Sequence, residues 1–129
     1  MTKSAILCVD DEKMVLNSLK SQLKNKFQSS YRLEFAESAD EAFEVIEELY
    51  QNGIQVLVIV SDWLMPGIKG DEFLILVHQK FPGITKVMLT GQAEKSAIER
   101  AEKEANLFKC LNKPWDEQDL IDTILEGLK

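Results

Sequence analysis

Val56–Gly70 reads VLVIVSDWLMPGIKG. It opens with an unbroken β-branched and aliphatic run, the pattern of a strand buried on both faces of a sheet. The run stops at Ser61-Asp62, and a turn carrying Pro66, Gly67 and Gly70 follows. A carboxylate at the end of a doubly buried strand costs free energy unless it is paired or used. The runs on either side place acids, a hydroxyl and a lysine around it.

Toward the N-terminus, SAILCV (4–9) is a short apolar strand that ends in Asp10-Asp11-Glu12. Val15, Leu16, Leu19, Leu23 and Phe27 then recur at helical spacing. YRLEFA (31–36) alternates and predicts a second strand at a sheet edge. Ser38-Ala39-Asp40-Glu41 is a capping box. The helix it opens buries Ala39, Ala42, Phe43, Ile46 and Leu49, and Gly53 follows its end.

Toward the C-terminus, the spacing predicts a helix over 71–81 with Phe73, Leu74, Val77 and Phe81 inward, stopped by Pro82-Gly83. ITKVMLT (84–90) is a fourth strand, broken by Gly91. Residues 94–105 form a charged helix with a thin stripe of Ala97, Ile98, Ala101 and Ala105. LFKCL (107–111) is a fifth strand. Lys113-Pro114-Trp115 is a turn, and Asp116 caps a last helix with Leu120, Ile121, Ile124, Leu125 and Leu128 on one side. Five strands alternating with five helices mean an α/β fold, a doubly wound (βα)5 parallel sheet covered on both faces. Ligands of such sheets bind outside the carboxyl ends of the strands.

The chain has 129 residues, enough for one domain with a sizeable core, and we expect residues 1–129 to form a single domain. A formal net charge of −7 argues against direct nucleic-acid binding, which needs a basic stripe. No apolar run reaches the ~18 residues of a membrane span and no signal segment opens the chain, so a cytoplasmic location without membrane contact is expected. Cys8 and Cys110 sit in apolar runs and are expected as buried, reduced thiols; no Cys/His spacing suggests a metal site. His78, in mid-helix beside Val77, is expected at the surface.

The carboxyl ends of the strands collect the reactive groups. Strand one gives Asp10 and Asp11, strand three Asp62, strand four Thr90, and strand five leads to Lys113. Clustered carboxylates repel unless a cation intervenes. A hard, oxygen-seeking ion such as Mg²⁺ suits carboxylates and waters, and would neutralise charge on a phosphoryl group. Lys113 can hold another phosphoryl oxygen, Thr90 can donate a hydroxyl hydrogen, and Asp62 is the natural nucleophile of an aspartyl phosphate.

Four pieces in register carry a family resemblance: Asp10-Asp11, Asp62 with Met65-Pro66-Gly67, Leu89-Thr90-Gly91, and Lys113-Pro114. In these the chain resembles the receiver domain of two-component response regulators, the CheY-like superfamily. The resemblance implies a flavodoxin-like sheet of strand order 2-1-3-4-5. It implies a signalling domain, not a turnover enzyme: Asp62 would take a phosphoryl group, with Mg²⁺, from a phosphohistidine on a sensor histidine kinase or a histidine phosphotransfer protein. Asp11 would ligate the ion directly and Asp10 mostly through water, with Asp62 and the Leu64 backbone carbonyl completing the protein ligands. Lys113-Pro114 would be cis.

Two positions depart from the pattern or tune it. Many receivers place Tyr or Phe three residues before the lysine, as the partner of the threonine in a switch with Thr90; here that residue is Cys110. Phe108, two residues earlier on the same strand face, is a substitute to check. Leu64 and Gln92, two residues beyond Asp62 and Thr90, would flank the hydrolytic water and so set the lifetime of the phosphoryl group. The switched surface would be the fourth helix, strand five and fifth helix, a face that also offers a homodimer contact. The chain reads either as a single-domain receiver or as the N-terminal piece of a longer regulator with an output domain.

Three rivals fit less well. An aspartate-nucleophile phosphatase would carry a second Asp where Leu64 stands. A flavodoxin-like cofactor binder needs a Gly/Ser/Thr-rich phosphate loop after strand one, where Asp10-Asp11-Glu12 would repel phosphate. A receiver-shaped module that is never phosphorylated would not need the acid, hydroxyl and lysine set.

Overall fold

The computed structural model describes residues 4–91 and 94–129. Along them run β1 (Ser4–Val9), α1 (Lys13–Phe27), β2 (Arg32–Ala36), α2 (Ala39–Gln51), β3 (Gln55–Asp62), α3 (Gly70–Lys80), β4 (Thr85–Thr90), α4 (Lys95–Glu104), β5 (Lys109–Asn112) and α5 (Glu117–Gly127). The five strands form one parallel sheet of order β2-β1-β3-β4-β5. The expected fold is the observed one.

The alternation of side chains across each strand explains the unbroken apolar runs. Leu7, Val9, Ile59 and Met88 pack with α2, α3 and α4 on one face. Ile6, Cys8, Val58, Val60, Val87 and Leu89 pack with α1 and α5 on the other. Both faces of β1, β3 and β4 are covered, so no polar alternation survives in them.

Local chemistry sets the helix ends. The Ser38 hydroxyl accepts from the Glu41 N–H at 3.1 Å, and the Asp116 carboxylate accepts from the Asp119 N–H at 3.1 Å. Each satisfies a backbone donor that the first helical turn leaves open. Gly53, just past α2, has φ +75°, the left-handed conformation glycine adopts without steric cost.

Three expectations are corrected. β5 starts at Lys109, because Asn106 turns the chain out of α4 with φ 52° and residues 107–108 are used to reach the sheet edge. Phe108 therefore precedes the strand and is 44% exposed, not packed inside the sheet. His78 is half-buried, its Nδ1 3.0 Å from Nζ of the buried Lys86. Cys8 is buried as expected, whereas Cys110 is only half-buried; both are free, and they pack on opposite faces of the sheet.

Candidate functional site

The register aligns the carboxyl ends of the central strands: Val9 lies opposite Ser61, Asp62 opposite Leu89, and Thr90 opposite Asn112. The residues at or just beyond those ends therefore meet on one rim. Asp11, Asp62, Leu64, Thr90 and Lys113 line a cavity of about 350 Å³ there.

Asp62 is 5% exposed, the last residue of β3. Its Oδ1 accepts from the Trp63 N–H at 2.9 Å and lies 2.9 Å from Lys113 Nζ. Lys113 Nζ also donates to Asp10 Oδ2 at 2.8 Å, so one ammonium spans two buried carboxylates. Burial holds the Asp62 pKa above the ordinary carboxylate value; the Lys113 bond opposes this, and the charge of Asp10 reinforces it. Burial alone would lower Lys113, but its bonds to Asp10 and Asp62 outweigh that and raise it.

Asp10 is 1% exposed, and its Oδ1 accepts from the Glu12 N–H at 2.9 Å. Asp11 is exposed and faces the cavity. Carboxylate oxygens of Asp10, Asp11 and Asp62 lie within 4.8 Å of one another. An all-oxygen set of this kind, open to water on one side, fits a hard divalent cation. The Lys113–Pro114 peptide is cis.

The structure thus brings together Asp10, Asp11, Asp62, Leu64, Thr90 and Lys113. Leu64 is 47% exposed at the rim. Cys110 sits apart, half-buried against the cluster beneath α2, α3 and α4; burial and then the charge of Glu102 push its thiol pKa up. Gln92 lies outside the described residues.

Two contacts beside the site escaped the sequence reading. Asp71, in the first turn of α3, accepts from the Trp63 indole Nε1–H at 3.1 Å. Gly70 passes so close to β3 that a Cβ there would stand 2.2 Å from the Asp62 carbonyl oxygen. The turn composition hinted at Gly70; nothing local in the sequence announced Asp71 as a partner of Trp63.

Residues 6–125 match the response regulator receiver domain family. The chain belongs to that family. Among curated proteins it is similar to the hydrogenase transcriptional regulatory protein HoxA of Cupriavidus necator, 32% identical over 127 residues, which cover 98% of this chain and 24% of HoxA. Among solved structures it resembles the signal receiver domain of an HD domain-containing protein from Pseudomonas fluorescens Pf-5, with a TM-score of 0.87, 28% identity, and 99% and 88% of the two chains covered. It also resembles the beryllofluoride-activated NtrC4 receiver domain dimer, with a TM-score of 0.83, 27% identity, and 98% and 97% covered. The receiver spans about a quarter of the length of its HoxA relatives. No helix among the described residues is long and apolar enough to cross a membrane.

Proposed function

We propose that the whole chain works as one receiver unit in the cytoplasm, with Asp62 accepting a phosphoryl group from a phosphohistidine on a sensor histidine kinase or histidine phosphotransfer protein. One observation carries this reading: a buried carboxylate at the end of the central strand, held by Lys113, opens onto a small cavity that Asp11 and Thr90 also line. Attack by Asp62 Oδ2 keeps both donors on Oδ1. The new O–P bond forms as the P–N bond of the phosphohistidine breaks, and the imidazole leaves with the bonding pair.

Lys113 then holds a phosphoryl oxygen as a point charge, and the Thr90 hydroxyl donates to another. Mg²⁺ on Asp10, Asp11, Asp62 and the Leu64 carbonyl would neutralise charge on the transferring group. Asp10 has both oxygens already engaged, which favours exposed Asp11 as the direct ligand and Asp10 as one acting through water. Leu64, at the exposed rim beside Asp62, helps set the lifetime of the phosphoryl state, a role expected of Gln92 from its place in the sequence. Thr90 begins the switch, Cys110 takes the place of its usual ring partner, and the face of α4, β5 and α5 responds. That face also serves homodimerisation, a reading favoured by similarity to a receiver dimer. By analogy with HoxA, the signal passes to an output domain in a longer chain.

The test is incubation with Mg²⁺ and phosphoramidate, followed by intact-mass measurement. One phosphoryl group, labile to hydroxylamine and absent in Asp62→Asn, is expected. A group mapped to Ser61 or Thr90 would overturn the assignment.

A further inference from the structure

Trp63 is held at each of its polar groups. Its N–H is shared between Asp62 Oδ1 at 2.9 Å and the Leu89 carbonyl at 3.3 Å. Its carbonyl accepts from the Gly70 N–H at 2.7 Å, and its indole Nε1–H donates to Asp71 Oδ1 at 3.1 Å. The Lys69 ammonium stands 4.8 Å from the ring centroid. Trp63 and Asp71 are both buried, at 8% and 7% exposure. The other Asp71 oxygen, Oδ2, faces Arg100 Nη1 on α4 at 3.5 Å, and Arg100 Nε donates to Glu104 Oε2 at 3.2 Å.

We propose that Trp63, Asp71 and Arg100 form one cooperative latch between the loop that carries Asp62 and the fourth helix, so that the state of Asp62 sets how firmly α4 is held. The geometry is independent of the phosphoacceptor reading; the signal it would carry rests on that reading.

A group added at Asp62 Oδ2 takes the carboxylate charge off Oδ1, which stays bonded to the Trp63 N–H but holds it less strongly, so residue 63 is loosened. The indole–carboxylate bond is buried, and breaking it would leave two polar groups without water, so a shift of Trp63 is passed to Asp71 and not absorbed. Asp71 has one oxygen on each side of the latch, and any tilt toward Trp63 weakens the hold on Arg100.

The receiving element is weakly held otherwise. Within α4 only Ala101 is buried, with Ala97 and Ile98 half-buried, so a single ion pair is a sizeable part of its attachment. An element with few buried apolar contacts opens at low free energy and responds to small perturbations. The latch runs from the end of β3 through α3 to α4, alongside the direct packing of α3 on α4.

The test compares amide exchange over residues 95–104 in the wild type, Trp63→Phe, Asp71→Asn, Arg100→Met and the Trp63→Phe/Arg100→Met pair, first without any phosphoryl donor. Releasing an ion pair of this kind should speed exchange by about threefold in Arg100→Met and Asp71→Asn. Trp63→Phe, which deletes one N–H from the loop, should speed it by a similar factor, and the pair should do no more than its larger member. Asp71→Asn is isosteric and keeps an acceptor for the indole, so it serves if Trp63→Phe fails to fold; its Trp63 emission, read in a Trp115→Phe background, should stay as in the parent. Phosphoramidate is then added and uptake scored by mass. Phosphorylation should alter exchange in α4, and Trp63→Phe should halve that change at equal uptake. An α4 indifferent to Trp63→Phe, or effects that multiply in the pair, would overturn the latch. No uptake at all would sink the phosphoacceptor reading alone, because the donor-free comparison still decides the latch.

Discussion

Replacing Gly70 by Ala asks whether the position of Asp62 is fixed by the close approach of α3 to the end of β3. A Cβ on residue 70 would stand 2.2 Å from the Asp62 carbonyl oxygen, 2.8 Å from Trp63 Cα and 3.0 Å from the Asp62 carbonyl carbon. All three are backbone atoms, so no side chain can swing aside. Restoring an ordinary contact of 3.4 Å to the oxygen requires a shift of about 1.2 Å. If α3 retreats, the 2.7 Å bond from the Gly70 N–H to the Trp63 carbonyl is lost. If β3 yields, Asp62 leaves the 2.9 Å reach of Lys113. Overpacking of this kind costs roughly 1–3 kcal/mol and a lost hydrogen bond about 1, against a gain of about 0.5–1 from Ala replacing Gly in a helix. A net loss of about 2–3 kcal/mol should lower Tm by roughly 8–10 °C in a domain of this size. A misplacement near 1 Å can also slow a reaction by about a hundredfold. Thermal denaturation followed by circular dichroism, and phosphoryl uptake from phosphoramidate followed by mass, measure the two effects. Gly83→Ala, where a Cβ meets nothing within 4 Å, is the matched control and should behave as wild type. A Gly70→Ala protein that melts within about 2 °C of wild type and takes up phosphate at its rate would refute the reasoning.

Millimolar Mg²⁺ should raise Tm, because a ligand at ~100 times its dissociation constant adds about 2.7 kcal/mol to the native state; the rise should shrink in Asp11→Ala, and equal melting in Mg²⁺ and chelator would count against the acidic cluster as a cation site. Leu64→Asn, which puts a hydrogen-bonding group at the exposed rim position beside Asp62, should shorten the phosphoryl lifetime, read as decay of the phosphorylated mass after donor removal. Lys86 is buried and bonded to the Ile84 carbonyl and His78, and burial lowers its pKa. The folded state therefore binds its proton less well than the unfolded state does, so the cost of burying the charge is full below the folded pKa and fades as pH rises toward the unfolded value. Lys86→Met should accordingly raise the urea midpoint at pH 7, with the gain shrinking by pH 10; a destabilised variant at pH 7 would show that the Ile84 and His78 bonds outweigh the desolvation.

The site was legible because its chemistry is distributed by a rule of topology. In a parallel sheet the residues after each strand share one rim, so Asp10, Asp62, Thr90 and Lys113 could be assembled from strand endings alone. The fold followed from runs such as Val56–Val60, whose lack of polar alternation signals two covered faces. What stayed hidden is pairing set by side-chain direction in space. Asp71 reads as an acid suited to a helix start, and only the packed loop shows that the Trp63 indole reaches it. Lys86 alternates into the core side of β4 like any apolar neighbour, and its ammonium reaches His78 on α3. Strand five slipped because LFKCL is apolar on both sides of the true start, and only the turn at Asn106 decides where pairing begins.

The outer strands govern how copies of the domain can meet. β5 has four residues, with Lys109 and Asn112 exposed, and β2, mostly half-buried, carries the Arg32–Glu34 ion pair. A short strand and a charged one are poor templates for a neighbour's backbone, which is how soluble sheets avoid growing sideways. The sheet therefore ends at its own borders. A protein that engages the β5 side is left to read side chains, such as the exposed ring of Phe108, and cannot simply add a strand. Contact made this way can be remade each time the surface is reshaped, which suits a receiver domain.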